Sequence, residues 1–181
     1  MTDAPLFEVL RLLARLPVPH MLTGSYASNL YGAIRSTFDA DLVIAVDSKG
    51  MQRLVEALSS EYYLDAQTLA EARQAGGQFN AVHKSSGLKL DFYLLTDEEY
   101  ARTAFQGKRQ ERVGDDLVSV IAPEDLILSK LRWSRQGGSL RQVEDARRVF
   151  ELQKERLDRA YLKRWAGELG IQDLLEQIGV H

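Results

Sequence analysis

The chain has 181 residues, of which 45% are hydrophobic, enough for one compact domain with a substantial core and too many for a disordered chain. Its 23 basic and 26 acidic residues leave a formal net charge of −3, so the molecule as a whole is no magnet for polyanions. With no cysteine, disulfides and thiolate zinc sites are excluded; with only His20, His83 and His181 a histidine-rich metal centre is improbable, and any metal should be a hard ion held by carboxylates.

At the N-terminus Asp3 stands where a signal peptide would be basic, and no apolar run reaches the ~20 residues of a membrane span. The expectation is a cytoplasmic protein with no membrane partner. Leu6, Val9, Leu10, Leu13 and Leu16 recur at helical spacing, predicting a helix from Pro5 to Leu16 that Pro17 and Pro19 end. Met21 to Thr23 reads as a short strand running into Gly24. A short helix over Ser25–Tyr31 is stopped by Gly32. Leu42 to Val46 is a β-branched run typical of a buried strand, and Ser48 opens a helix to about Ser60. Another short helix is expected over Ala66–Ala75, closed by Gly76 and Gly77.

Two hairpins follow. Phe79–His83 and Leu88–Leu95 flank Ser85-Ser86-Gly87; Arg109–Val113 and Leu117–Ile121 flank Gly114-Asp115-Asp116. After Ala122-Pro123 the pattern is helical to the end, with breaks at Gly137-Gly138 and Gly170. The predicted fold is mixed α/β (α+β): a small mixed twisted sheet flanked by helices, then a C-terminal helical bundle. Residues 1–122 would form the core and residues 123–181 a helical region packed on it.

Three carboxylates stand out. Side chains alternate across a strand, so Asp39 and Asp41 share a face if the strand starts there. In "GLKLDFYLL", Leu88, Leu90, Phe92 and Leu94 make one face and Lys89, Asp91 and Tyr93 the other. If the two strands are neighbours, Asp39, Asp41 and Asp91 converge and repel one another unless cations compensate. One or two Mg²⁺ ions would turn the trio into an oxygen-rich cage suited to phosphate chemistry. Alone, each has an ordinary reading: Asp39 as a turn residue, Asp41 as a partner of Arg35, Asp91 as a surface residue beside Lys89.

Upstream, Gly24 at a strand-to-helix junction allows close backbone approach to a ligand, and the helix start favours an anion, with the Ser25 hydroxyl beside it. Downstream, Pro123 with Glu124 and Asp125 makes a good helix start. Leu126, Ile127, Leu131 and Trp133 define the buried side of that helix, and Lys130 falls inside it, where an ammonium needs an anionic partner or must snorkel out. From Lys130 to Arg164 there are 11 basic residues against five acidic ones, read either as solvated, paired helix faces or as a basic face for RNA or triphosphate. Tyr26, Tyr31, Trp133 and Trp165 read as packing aromatics, and His83 as a lone hairpin histidine.

The stretch "GSYASNLYGAIRSTFDADLVI" resembles the first motif of the nucleotidyltransferase superfamily with the DNA polymerase β-like catalytic fold. Gly24-Ser25 is followed, after 13 residues, by Asp39-Ala40-Asp41, and "KLDFYL" is similar to the later strand that carries a third carboxylate, Asp91. "APEDLILSKLRWSRQGGSLRQVEDARRVFEL" resembles the helical region of minimal nucleotidyltransferases of the abortive-infection AbiEii toxin kind, with Lys130 and Asp145 at matching positions. The similarity covers about Met21 to Leu152 and departs at Gln142, Trp133 and Arg135.

This resemblance implies a Mg²⁺- (or Mn²⁺-) dependent enzyme that moves a nucleoside monophosphate from an NTP to an acceptor hydroxyl and releases pyrophosphate. Gly24, Ser25, Arg35, Thr37, Lys130 and Asp145 would bind the nucleotide, Asp39, Asp41 and Asp91 the metal. Asp39, Asp41, Asp91 and Lys130 would carry catalysis. The acceptor would be a tRNA 3′ end or other RNA, a protein, or a small molecule. A toxin-like role with an antitoxin-like partner also follows from the resemblance. The alternatives are a non-catalytic nucleotide-binding or interaction module of the same fold and a metal-dependent phosphodiesterase.

Overall fold

A computed structural model describes residues 4–181; Asp3 lies outside them. The chain forms helix α1 (Ala4–Arg15), strand β1 (His20–Thr23), helix α2 (Gly24–Leu30), strand β2 (Asp39–Ile44) and helix α3 (Ser48–Leu58). Then come β3 (Tyr62–Leu64), α4 (Ala66–Ala75), β4 (Gln78–His83), β5 (Lys89–Leu94) and α5 (Glu99–Gln106). The hairpin β6 (Arg109–Val113) and β7 (Asp116–Val120) precedes four helices: α6 (Pro123–Gly137), α7 (Leu140–Gln153), α8 (Arg159–Glu168) and α9 (Gln172–Gln177).

The strands form one mixed sheet of seven in the order β3-β4-β5-β2-β1-β7-β6. Both predicted hairpins are present as antiparallel pairs. The joints at the centre are β2 with β5 and β1 with β7, both parallel, and β1 with β2, antiparallel. The fold is thus mixed α/β with helices flanking a seven-stranded sheet and a run of helices after it. Two elements escape the sequence pattern: β3, only three residues long, and α5. Strand β2 also begins at Asp39, ahead of the apolar run that announces it, and ends at Ile44.

One face of the central strands is dry. Ala40, Leu42 and Ile44 of β2, Leu90 and Phe92 of β5, and Phe79 and Ala81 of β4 have no exposed surface, and the Phe79 and Phe92 rings stack at 4.9 Å. The period-two alternation that buries this face turns Asp39, Asp41, Lys89, Asp91 and Tyr93 to the other. α2 packs on β1 and β2 and touches α6, which packs in turn on α7, α8 and α9. α6 ends where Gly138 adopts a left-handed conformation, φ +67°. Among the described residues no helix is long and apolar enough to cross a membrane.

Candidate functional site

The register of β2 and β5 sets the site. Asp39 lies opposite Lys89 and Asp41 opposite Asp91, all on one face of two adjacent strands. Strands sit about 4.8 Å apart, so charges in such rows feel one another strongly. Asn80 of β4 extends the second row beside Asp91. The sequence expectation that the three carboxylates share one patch of sheet is therefore met by the strand register.

Asp91 is only 7% exposed. The Lys89 ammonium lies 2.8 Å from its Oδ1 and donates a hydrogen bond to its Oδ2 at 2.9 Å. Oδ1 has the charge contact but no hydrogen bond, and the buried Asn80 Oδ1 also lacks a donor. Asp91 raises the Lys89 ammonium above its ordinary value, chiefly through this hydrogen bond. The Asp41 carboxyl is pushed up to about 6, first by burial, then by the charge of Asp91, with a smaller push from Asp39 and partial relief from Lys130. Tyr93 Oη donates to Asp41 Oδ1 at 3.4 Å, and burial together with the three carboxylates holds that phenol well above its usual range.

Gly24 is delivered to Asp41 by the antiparallel register, in which Thr23 lies opposite Asp41. Its φ is +64°, and a Cβ there would stand 1.9 Å from Asp41 Oδ2. Only glycine allows this contact between backbone and carboxylate. Ser25 is buried, and the Arg35 guanidinium donates to its Oγ. α2 has just seven residues, so the positive character of this corner comes mainly from side chains rather than from the helix end.

Those side chains are Arg35 and Lys130. Lys130 is 4% exposed, and its Nζ reaches Asp145 Oδ2 and Gln142 Oε1 only at 3.5 Å each. Burial lowers the Lys130 ammonium, while Asp145 and then Asp41 pull it back up. Arg35 Nε lies 3.5 Å from the same Asp145 Oδ2, too poorly aligned for a hydrogen bond. One carboxylate thus serves two cations through long contacts. The Arg35 peptide is fixed from both sides by Asn29, whose Oδ1 accepts from Arg35 N at 2.8 Å and whose Nδ2 donates to Arg35 O at 2.9 Å. Arg35 therefore pairs with Asp145, not with Asp41. The Thr37 hydroxyl is used locally, donating to Asp39 O at 3.0 Å and accepting from Asp39 N at 3.2 Å, which squares the entry into β2.

One reading is corrected. Trp133 is not on the buried side of α6: it is 53% exposed, and its ring meets the Tyr93 ring edge-on at 6.2 Å. Ser134 and Leu128 are buried on α6 instead. Tyr31 and Trp165 are core residues, and Tyr26 is partly buried against that core. His83 ties the β4–β5 turn, with Nδ1 2.8 Å from Ser86 Oγ. Four further residues join the site: Lys89, Tyr93, Asn80 and Gln142. The alternation of "KLDFY" already put the first two beside Asp91; Asn80 and Gln142 needed the register and the α6–α7 packing.

The donor set, three carboxylates with an amide oxygen, suits a hard divalent cation. The Asn80 Oδ1 without a donor and the raised Asp41 carboxyl mark acceptor oxygens short of partners on this face. Among the described residues, no three acidic or histidine side chains stand close enough to enclose an ion in this conformation. A cavity of about 390 Å³ lies between α1, α2, the 34–38 loop and the β6–β7 hairpin, lined mostly by apolar residues such as Leu6, Leu10 and Val118, with Arg35 and Thr37 also in its lining. It includes none of the carboxylates.

No family model matches the sequence. No curated protein matches it either. Solved structures do match by shape. The antibiotic-resistance factor ANT(2″)-Ia, in complex with adenylyl-2″-tobramycin, superposes with a TM-score of 0.63 at 15% identity, covering 92% of this chain and 95% of its own. The lincosamide antibiotic adenylyltransferase LnuA, lincomycin-bound, gives 0.58 at 15% identity over 84% and 98%. An antigenic nucleotidyltransferase-like protein from Paracoccidioides brasiliensis gives 0.57 at 15% identity over 95% and 89%. What the chain shares with these proteins is the fold: it is built as a nucleotidyltransferase-like α/β protein.

Proposed function

We propose that the protein is a nucleotidyltransferase that moves a nucleoside monophosphate from an NTP to an acceptor hydroxyl. The observation that carries this reading is the register pairing Asp41 with Asp91, with Asp39 on the same face and Gly24 against Asp41. A divalent ion, Mg²⁺ or Mn²⁺, supplies when bound the positive charge that a triphosphate and a transferring phosphoryl group require. Asp39 and Asp41 are its first holders, and Asp91 completes the carboxylate set.

The rest is done by the chain's own groups. Gly24 and Ser25 form the floor for the phosphates, and Lys130 and Arg35 supply positive charge beside it. Their long contacts to Asp145 leave the Lys130 ammonium and the Arg35 Nε under-satisfied, as donors awaiting an anion should be. In the reaction the acceptor oxygen bonds to the α-phosphorus while the bond to the bridging β-phosphate oxygen breaks. Pyrophosphate leaves toward Lys130 and Arg35, and the acceptor proton passes to Asp91 once the Lys89 ammonium, 2.8 Å from its Oδ1, has moved aside. Positioning and electrostatics carry such a step, since the protein forms no bond to the phosphorus. Trp133 and Tyr93 form an aromatic lip beside Asp41 where a nucleobase or acceptor ring can lie.

The acceptor is an RNA 3′ end, a protein or a small hydroxyl-bearing molecule. Two observations favour the small molecule. Arg132, Arg135, Arg148, Lys154 and Arg164 are each paired with an acid of the chain, which quiets the basic face. Structural neighbours include the lincosamide adenylyltransferase and the factor solved with adenylyl-tobramycin. Within the same reading, an AbiEii-type toxin-like role with a neutralising partner rests on the sequence resemblance alone, carried by the Pro-Glu-Asp-Leu helix start with Lys130 and Asp145. The test is label transfer: α-labelled NTPs in turn, Mg²⁺, and three acceptor pools, namely total RNA, extract protein and a panel of aminoglycosides and lincosamides. Label that appears in one pool and vanishes in the Asp39→Ala/Asp41→Ala variant establishes the transferase and its acceptor. No label from any NTP with a folded protein turns the reading to a non-catalytic module or to a small-molecule acceptor outside the panel, and a cut nucleic acid without label favours the phosphodiesterase.

A further inference from the structure

Lys89 stands in the middle of the acidic face. It is the register partner of Asp39 and lies two residues before Asp91 on β5, so it shares one side of the sheet with all three aspartates. Its ammonium touches both oxygens of Asp91, at 2.8 and 2.9 Å. Its side chain is 40% exposed, so what holds the ammonium there is the carboxylate contact and not burial. The Coulomb fields of Asp91, Asp39 and Asp41 all favour its charge.

We propose that the Lys89 ammonium is the resident counter-ion of Asp91, occupying the place a divalent cation would need in order to reach that carboxylate. The inference rests on the transferase reading above. In the resting protein Asp39 is exposed and Asp41 holds only a long, 3.4 Å contact from Tyr93 at its Oδ1, whereas an ion reaches Asp91 only when Lys89 withdraws. That explains why three carboxylates share one face without three of them being set to enclose an ion. It also explains why Asp91, nearly buried and beside another acid, keeps the hydrogen bond of a charged partner. Lys89 is therefore a positioning residue that sets how tightly the site takes metal.

The test uses Mn²⁺ alone, titrated into the full-length protein and read as the loss of the free-ion signal in electron paramagnetic resonance. Lys89→Met should bind Mn²⁺ at least tenfold more tightly than wild type, about 1.4 kcal/mol. Lys89→Arg, which keeps the charge, should bind like wild type. In Lys89→Met/Asp91→Asn the gain should disappear. A gain that persists in the double variant means Lys89 acts only as a diffuse charge, and no gain in Lys89→Met means it does not compete with metal; either result overturns the proposal. Lys89→Gln repeats the comparison with a polar side chain should the methionine variant fail to fold. The metal reading itself fails separately, if wild-type Mn²⁺ binding is absent or is unchanged by Asp39→Ala/Asp41→Ala.

Discussion

Gly24 carries two constraints at once, a left-handed backbone and a carboxylate at the place of its missing side chain. Gly114, in the β6–β7 turn, has nearly the same φ, +61°, with nothing within 4 Å of an added Cβ. Comparing alanine at the two positions separates backbone strain from site damage. Each substitution should cost about 1–2 kcal/mol of stability from the left-handed conformation alone. Only Gly24→Ala should displace Asp41 as well, lowering nucleotidyl transfer by roughly 100-fold or more, as expected when a reacting group is misplaced by about an ångström. Paired chemical denaturation and label-transfer rates check both parts; transfer at the wild-type rate in Gly24→Ala would show that the contact with Asp41 has no part in the chemistry. Asp41 gives the complementary case. Its charge is opposed by burial and by Asp91 and Asp39, so Asp41→Asn should abolish transfer while its melting temperature in EDTA equals or exceeds that of wild type. A clear loss of stability in EDTA would mean that Asp41 holds the fold rather than the ligand.

At the level of elements, α6 joins sheet to cap, and its first turn holds another buried acid. Asp125 is 2% exposed and accepts from Tyr161 Oη at 2.8 Å. Burial pushes its carboxyl up to about 6; neighbouring Glu124 adds to this, while Tyr161 and Arg109 act the other way. A carboxyl raised in the folded state costs stability once it must ionise. The cost is absent below the unfolded value near 4, grows as pH rises to about 6, and is complete above that. Asp125→Asn should therefore stabilise the protein by about 1–2 kcal/mol at pH 8, with the gain shrinking to nothing at pH 4, as read from urea midpoints across that range. A difference that stays constant with pH would assign the effect to packing. The same scale shows what was legible in the sequence. Period-two alternation and turn residues announced both hairpins and the acidic face, since each depends on neighbours along the chain. β3 was hidden because three residues, Tyr62-Tyr63-Leu64, are too few to show a period, and α5 because its buried Tyr100, Ala104 and Phe105 fill barely two turns. Trp133 lies outside the buried side of α6 because apolar character alone does not set the rotation of a helix. Arg35 found Asp145 rather than Asp41 because Asn29 folds its loop back, a contact no linear spacing announces.

For the whole molecule, the question is whether sheet and C-terminal helices act as one body. A continuous buried cluster runs from Leu6 to Val180 through both. Polar ties cross the same boundary: Gln153 Nε2 donates to Tyr31 O at 3.0 Å, Tyr100 Oη to Asp125 O at 3.2 Å, and Arg109 Nη2 to Glu124 Oε2 at 3.1 Å. Trp165 of α8 lies 5.1 Å from the Tyr100 ring of α5, which places a late helix against the sheet-bearing part of the chain. The candidate site has the same dependence, because Gly24, Asp39, Asp41 and Asp91 come from the sheet side and Lys130 and Asp145 from α6 and α7. Independent unfolding of the helices would remove Lys130 and Asp145 while leaving the acids in place. Continuous burial predicts the opposite, a single cooperative transition. In a Trp133→Phe variant, Trp165 is the one remaining tryptophan and reports the helical end, while far-UV circular dichroism reports all elements together. The two urea transitions should coincide in midpoint and slope. A Trp165 transition at clearly lower urea would show that the helices detach first, and that nucleotide contacts from Lys130 and Asp145 can be made and broken without unfolding the sheet.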